Sequence, residues 1–423
     1  MHHFPYAGFE PVEVPDKNLI PVGRPDRRGS PEAVRVLEDA LSAPEGTERL
    51  RSLAKGRRSA LVLVDDATRP TPAHLMAPLV VEELMRGGLR EEQIAFLCAG
   101  GSHRSMTEEE KVRKVGEDIA ARFKVHDHEW DKEGVLVGLG RTEDGVDVVV
   151  NRLAREADLL VGLGQVCPHR VSGFSGGSKI VLPGICGQRT VGQTHWLSTY
   201  YPIEEIFGVR DNPVRKRMDD VARVVGLDFV LNVVMDEEGR VMGAVAGDFV
   251  AAHRKAARLA MEVNVVYLPR RADIVIADSR PCDRDFWQAS KALASCSLSV
   301  RPGGDVIIAT PCAEGIATDH PQVEEHGYSS AEEVTREVEG GRFEDLTGAA
   351  HICHTRRVLD HAHCVLVSPG IGAERGARAK LPVVVSAGEA VREAFRRQGD
   401  DASVLILEHC ADTFPIVDSR PQR

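Results

Sequence analysis

The sequence predicts an α/β protein of two domains, each a mainly parallel sheet flanked by helices, with the active site in the cleft between them. The chain has 423 residues, a length that favours two domains over one. Short apolar runs bounded by Gly, Asp or Pro recur along it, as buried parallel strands do. Helical patterns with recognisable caps lie between several of these runs, and such alternation implies helices packed on parallel sheets. The cleft follows because small-molecule sites favour domain interfaces.

The strands are read at Ala60–Val64, Gln93–Cys98, Asp158–Leu163, Asp273–Ala277, Val306–Ala309, Val365–Val367, Val383–Val385 and Val404–Leu407. Leu75, Leu79, Val80 and Leu84 share one face of a helix that Gly87 and Gly88 stop. Thr107 to Glu110 reads as a capping box opening a second helix, and Ser330 to Glu333 as another. Asp248 caps a helix that runs to the neighbourhood of Met261. The boundary falls near Leu268–Arg271, where a fresh apolar strand follows a helix and the short run Val263–Tyr267. That gives an N-terminal domain of residues 1–268 and a C-terminal domain of residues 272–423, whose final segment is free to pack back on the first.

Composition narrows the function. Hydrophobic residues are 43% and charged residues 28%, the balance of an ordinary globular protein. A net charge of −11 argues against non-specific nucleic-acid binding while allowing a local basic pocket for a small anion. The nine cysteines form no CxxC pair, so neither a zinc ribbon nor a thioredoxin-like site is readable. Dispersed and odd in number, they suggest a reducing compartment in which most serve as small buried apolar residues. The N-terminus lacks a basic stretch followed by an apolar one, and no run reaches the length of a membrane span. The expectation is a cytoplasmic protein with neither nucleic acid nor membrane as partner.

Open α/β sheets place ligands beyond the carboxyl ends of their strands, so the segments that follow each strand carry the chemistry. After the first strand come Asp65-Asp66-Ala67-Thr68-Arg69-Pro70-Thr71-Pro72. The prolines break regular structure, and Arg69 could grip a carboxylate through two parallel hydrogen bonds. The plainer alternative is a helix-initiating turn with a surface arginine. Ser102-His103-Arg104 follow the second strand, where His103 stands as a general base would, or as an ordinary loop histidine.

The richest segment runs from Gln165 to Gly184 and contains His169, Ser175, Gly176, Gly177 and Lys179, with His195 beyond it. Its glycines allow close backbone approach, and successive amides could make an anion-binding nest for a nucleotide phosphate. It is not a P-loop, which would need glycine at 178 and Ser or Thr at 180. Lys179 in an apolar loop would have its amine favoured in the neutral, reactive form, unless the segment is a packed turn with a snorkelling lysine. In the second domain Gln288 and Lys291 stand three apart, able to offer an amide and an ammonium to one carboxylate, or to lie on an exposed helix face.

Taken together these segments resemble the lactate racemase (LarA) family of nickel-pincer nucleotide enzymes. The matching residues are Asp66, Thr68 and Arg69 in D-x-T-R, Gly101, His103 and Arg104 in G-x-H-R, and His169, Lys179 and His195 at spacings of ten and sixteen. The stretch from Gly173 to Gly184 and the pair Gln288 and Lys291 also match. The resemblance implies a racemase or epimerase of a 2-hydroxy acid, lactate or a larger one. Lys179 would carry the nickel-pincer nucleotide, with Ser175, Gly176, Gly177, Asp66 and Thr68 beside it, and His195 would ligate the nickel. His103 and His169 would be the acid/bases, and Arg69, Gln288 and Lys291 would bind the substrate. Enzymes that build the cofactor would be partners.

The chain departs from the family pattern in three places. Ser178 stands where many members have arginine, and Trp287 holds an aromatic position often taken by tyrosine. The tryptophan of lactate-specific members has no counterpart in Thr347–Arg357, where His351 and His354 stand. Two other readings compete: an NAD(P)-dependent 2-hydroxy acid dehydrogenase, opposed by the lack of a GxGxxG after a strand, and a non-catalytic nickel- or nucleotide-binding protein.

Overall fold

The computed structural model describes residues 1–25 and 32–418. The chain forms two compact units, Arg27–Val263 and a second made of Met1–Asp26 with Asn264–Arg423. Among the described residues, no helix is long and apolar enough to cross a membrane.

The first unit holds β1 (Ala60–Asp65), β2 (Ile94–Ala99), β3 (Lys124–Asp127), β4 (Leu136–Arg141), β5 (Asp147–Asn151), β6 (Leu159–Gln165), β7 (Pro168–His169), β8 (Gly173–Phe174), β9 (Phe229–Met235) and β10 (Val241–Gly247). Its main sheet runs β10-β9-β6-β1-β2-β3, parallel throughout except for the antiparallel edge pair β9–β10. Alternate residues enter opposite cores: Leu61 and Leu63 pack on one face, Ala60, Val62 and Val64 on the other. A sheet covered on both faces needs apolar residues at every position, which is why these strands read as unbroken apolar runs. The covering helices include α1 (Ala73–Arg86), α2 (Glu108–Val115), α3 (Gln188–Ser198), α4 (Pro213–Val225) and α5 (Ala251–Asn264). The α1 stripe and the capping box of Thr107 and Glu110 form as expected, the box closing reciprocally through both side chains.

The second unit holds β11 (Val265–Leu268), β12 (Ala272–Asp278), β13 (Val300–Ala309), β14 (His363–Val367), β15 (Val383–Val384), β16 (Val404–Leu407) and β17 (Phe414–Val417). Five of them make a wholly parallel sheet in the order β15-β14-β13-β12-β16. The helices α6 (Phe286–Ala289) and α7 (Lys291–Ser299) follow β12, and α8 (Leu346–His361) precedes β14.

All eight strands read from the sequence are present, seven within two residues at each end, while β13 begins six residues earlier than read. The division at 268–272 is where the structure differs. Phe4, Val12 and Val14 cover one face of the second sheet beside Ile274 and Ile307. The Ile20 amide donates to Val404 O at 2.8 Å, and Gly23 bridges to Tyr267. The N-terminal segment therefore packs with the C-terminal sheet, because that sheet has an apolar face to bury. The final strand β17 pairs with β11, inside the second unit.

Candidate active site

In each unit the first strand of the main sheet lies between two later ones, so the connections leave it in opposite directions: β1 is flanked by β2 and β6, β12 by β13 and β16. Such reversal points open a crevice at the carboxyl ends of the strands, and the candidate residues stand there.

The turn after β1 is pinned from below. Lys114 of α2, buried, pairs with Asp65 at 2.5 Å and donates to Arg69 O at 2.9 Å, and Thr71 donates to the other oxygen of Asp65. Pro70 and Pro72 have no amide hydrogen to extend a ladder, and α1 starts directly after them. Asp66 stands above this anchor. Its Oδ1 accepts from the Thr68 amide at 3.1 Å and from the Thr68 hydroxyl at 2.5 Å. Its Oδ2 meets His103 Nδ1 at 2.6 Å. Arg69 Nη1 donates to Thr68 Oγ1 at 2.9 Å and to Thr68 O at 3.1 Å. Arg69, Thr68, Asp66 and His103 form one chain of hydrogen bonds. Burial alone would raise the Asp66 carboxyl, but the charge and hydrogen bond of His103, with Arg69 and Thr68, hold it well below the usual carboxylate range.

His103 is delivered by β2 and a tight turn. Gly101, at φ +62°, donates its amide to Gly184 O at 2.9 Å, tying the histidine loop to the lysine loop. Arg104 grips Glu110 with two 2.8 Å bonds, so this arginine anchors the start of α2. With a carboxylate against Nδ1 the ring proton belongs there, and Nε2 is the nitrogen able to take up another.

The segment after β6 is held largely by the protein itself. The short β7–β8 hairpin sets His169 opposite Gly173, and His169 Nδ1 accepts from the Val171 amide at 3.2 Å. Ser175 Oγ donates to Gln165 O at 2.7 Å and accepts from the Cys167 amide at 2.9 Å. The Ser175, Gly177 and Lys179 amides donate to Cys167 O, Asn232 Oδ1 and Gly176 O at 2.9, 3.1 and 3.2 Å. A Cβ on Gly176 would lie 2.5 Å from Val166 Cγ2, and one on Gly177 2.8 Å from the His253 ring. Packing thus explains both glycines, and much of the expected amide nest is already engaged internally. Beyond the loop, His195 on α3 shares its Nδ1 hydrogen with Val191 O one turn back, at 3.0 Å.

In the second unit Asp285 caps α6, and Gln288 is buried rather than on an exposed face. Lys291 Nζ donates to Gln288 Oε1 at 2.6 Å and meets Cys282 Sγ at 3.6 Å. Beside them the Trp287 indole stacks on two imidazoles, His320 at 3.9 Å and His351 at 4.3 Å. Asp345 holds His320 Nδ1 at 2.6 Å, and the Tyr328 hydroxyl meets His351 Nε2 at 2.8 Å.

Two groups escape the sequence reading. One is this His320–Trp287–His351 stack, whose members are scattered along the chain. The other is the polar set beneath the lysine loop: Arg215 and Asp219 on α4 with its capping residue Asn212, Asn232 on β9, and His253 and Arg254 on α5. A signal for it exists: Arg215 shares the apolar face of α4 with Val214, Met218, Ala222 and Val225.

Residues 7–205 match the lactate racemase N-terminal domain family, and residues 268–412 the lactate racemase C-terminal domain family. The chain is 29% identical over 381 residues to the lactate racemase of Lactiplantibacillus plantarum, covering 88% of each. It is 34% identical over 285 residues to that of Thermoanaerobacterium thermosaccharolyticum, covering 66% of each. The lactate racemase apoprotein structure from T. thermosaccharolyticum superposes with a TM-score of 0.85 at 27% identity, over 96% of this chain and 97% of that one.

Proposed function

Because the chain belongs to the lactate racemase family and is an isomerase of the racemase class, we propose that it inverts C2 of a 2-hydroxy acid, with a nickel-pincer nucleotide held on Lys179. The observation that carries this reading is the Asp66–His103 pair at 2.6 Å, a carboxylate-oriented base at the carboxyl end of a central strand and bonded through Thr68 to Arg69.

The residues present suit the cofactor. With Nδ1 satisfied by Val191 O, His195 presents Nε2, the usual arrangement of a metal-ligating histidine. Among the described residues no group of three or more His, Cys, Asp and Glu could hold a metal by itself, so a metal at His195 would need donors carried by the cofactor. Imidazole and soft donors in a tetragonal set suit nickel. Bound there, the cofactor would supply a reversible hydride acceptor, which matters because C2 of a hydroxy acid beside a charged carboxylate is poorly acidic.

The protein's own residues do the rest. Arg69, steadied by Thr68, supplies a fixed cation for the substrate carboxylate, and Gln288 with Lys291 a second polar grip. His103 Nε2 takes the hydroxyl proton while Asp66 faces the positive charge that forms on the ring. His169 serves the opposite hydroxyl orientation and returns a proton to the inverted product. A cytoplasmic location and dependence on cofactor-building enzymes belong to the same reading, whose substrate is lactate or a larger 2-hydroxy acid.

The test is intact mass together with isotope fate. Protein co-expressed with cofactor-building enzymes should carry an adduct that Lys179→Ala abolishes. Turnover of a single enantiomer in deuterated water should leave C2 free of solvent deuterium. An adduct that survives Lys179→Ala, or solvent deuterium at C2, would refute it.

A further inference from the structure

Among the described residues Arg215 is the largest fully buried side chain, and its guanidinium sits beneath the loop that leads to Lys179. Nε donates to Ser172 O at 3.4 Å, Nη1 to Gly176 O and to Ser178 Oγ at 3.1 Å each, and Nη2 to Phe174 O. Three backbone carbonyls of one five-residue stretch thus converge on a single cation. Aligned carbonyl dipoles repel one another, so the arrangement depends on the positive charge at its centre. Burial pushes the guanidinium down to about 10, with Asp219 opposing and Arg254 adding, which leaves it charged at neutral pH.

The connection to Lys179 is direct. Gly176 O, which accepts from Arg215, also accepts the Lys179 amide at 3.2 Å, and Ser178, bonded to Arg215, is the residue before the lysine. Ser178 Oγ in turn donates to Asp219 Oδ1 at 2.6 Å, and Arg254 holds the other oxygen at 2.7 Å. Neighbouring groups fill the remaining contacts: Asn212 Nδ2 donates to Ser172 O at 3.3 Å, and His253 Nε2 meets Ser175 O at 3.0 Å. A buried ion is a poor means of gaining stability, since apolar residues of similar volume often do as well or better. Its best-attested use is to specify one conformation.

We propose that Arg215 is a positioning residue that gathers the carbonyls of Ser172, Phe174 and Gly176 and so fixes the backbone from which Lys179 is presented. The proposal rests on Lys179 being the functional lysine of the preceding section, but its test does not need the cofactor.

The full-length apoprotein is compared with Arg215→Met and Arg215→Lys. Three measurements are made: cooperative thermal unfolding, hydrogen exchange over residues 172–180, and acylation of Lys179 by an amine-reactive ester, read by peptide mass against exposed Lys255. In Arg215→Met the global transition persists, exchange in the loop rises about ten-fold or more, and Lys179 acylation changes relative to Lys255. Arg215→Lys, which keeps the charge with fewer donors, falls between. A folded variant whose loop exchange and Lys179 acylation match the original overturns the proposal. If neither Arg215 variant folds, Ser178→Ala decides: faster exchange over 175–179 supports the clamp and unchanged exchange overturns it. Co-expressed Arg215→Met should also carry a smaller adduct fraction on Lys179. Absence of any adduct on the unaltered protein would sink the cofactor reading and leave the positioning result intact.

Discussion

Asp65 and Asp66 are chemically identical neighbours with different tasks, and their partners decide which is which. Asp65 turns to Lys114 and Thr71 and fastens the turn; Asp66 turns to Thr68 and His103. Asp66→Asn keeps the shape and one acceptor but loses the charge opposite the histidine. Turnover should fall by about 10² or more, the scale of a general-base contribution, with a smaller change in KM. The same residue carries a pH signature. Its carboxyl is depressed below the unfolded value of about 3.9, so the stability it contributes is present above that pH and lost as pH falls further. The stability gap between the original protein and Asp66→Asn should therefore narrow below pH ~4; a gap independent of pH would contradict the assignment.

At the scale of elements, the loop between β6 and α3 owes its shape to close packing. Gly177 is at φ +58° with the His253 ring where a Cβ would go. Gly177→Ala combines a left-handed backbone with overpacking and should cost about 2–5 kcal/mol. Gly138, on β4, has nothing within 4 Å of its Cβ direction and no left-handed φ, so Gly138→Ala is the matched control and should be close to neutral. Thermal unfolding of the pair tests this: equal midpoints would mean that the loop tolerates the methyl and is not rigidly held.

For the molecule as a whole, a buried histidine sets a limit on acid stability. His128 meets Cys186 O through Nε2 at 3.1 Å and accepts from Asn151 at Nδ1, an arrangement that suits the neutral ring. Burial pushes it down to about 4, against the one raising effect of the Cys186 carbonyl. A depressed histidine leaves stability intact above about pH 6.5 and removes it as pH falls toward the folded value, because the unfolded chain takes up the proton first. His253, fully buried beside Arg215 and Arg254, acts in the same direction. Denaturant unfolding should show roughly 3 kcal/mol lost between pH 6.5 and 4 on account of His128, a slope that His128→Gln flattens. Substrate choice is also a property of the whole site. In the second unit the Trp287 ring stacks on His320 and His351, polar rings able to bond a larger substrate, and Thr347–Arg357 contains no tryptophan. Across a panel of single-enantiomer 2-hydroxy acids, one with a longer or more polar side chain should therefore exceed lactate in kcat/KM. Discrimination of about 1–3 kcal/mol leaves room for residual lactate turnover; lactate ranking first would overturn this expectation.

Eight of the central strands, several helix caps and the residues at those strand ends are legible in the amino-acid order alone. These are local matters: an apolar run bounded by breakers, a Thr three residues before a Glu, and the rule that ligands gather beyond carboxyl ends. It likewise marked Asp66, His103, Lys179 and Gln288 as candidates, because they follow the ends of apolar runs. What it left open was every choice between chemically equal partners. Only the packed structure assigned Asp66 rather than Asp65 to His103, occupied the glycine loop's amides from within, and set Arg215 beneath Lys179. Only the packed structure, too, drew the N-terminal segment onto the second sheet, through bonds between residues almost four hundred positions apart such as Ile20 and Val404. Periodicity reports which face of an element is apolar. The group that covers that face, or bonds a buried polar atom, is fixed by contacts distant in sequence, and one sequence alone carries no trace of those.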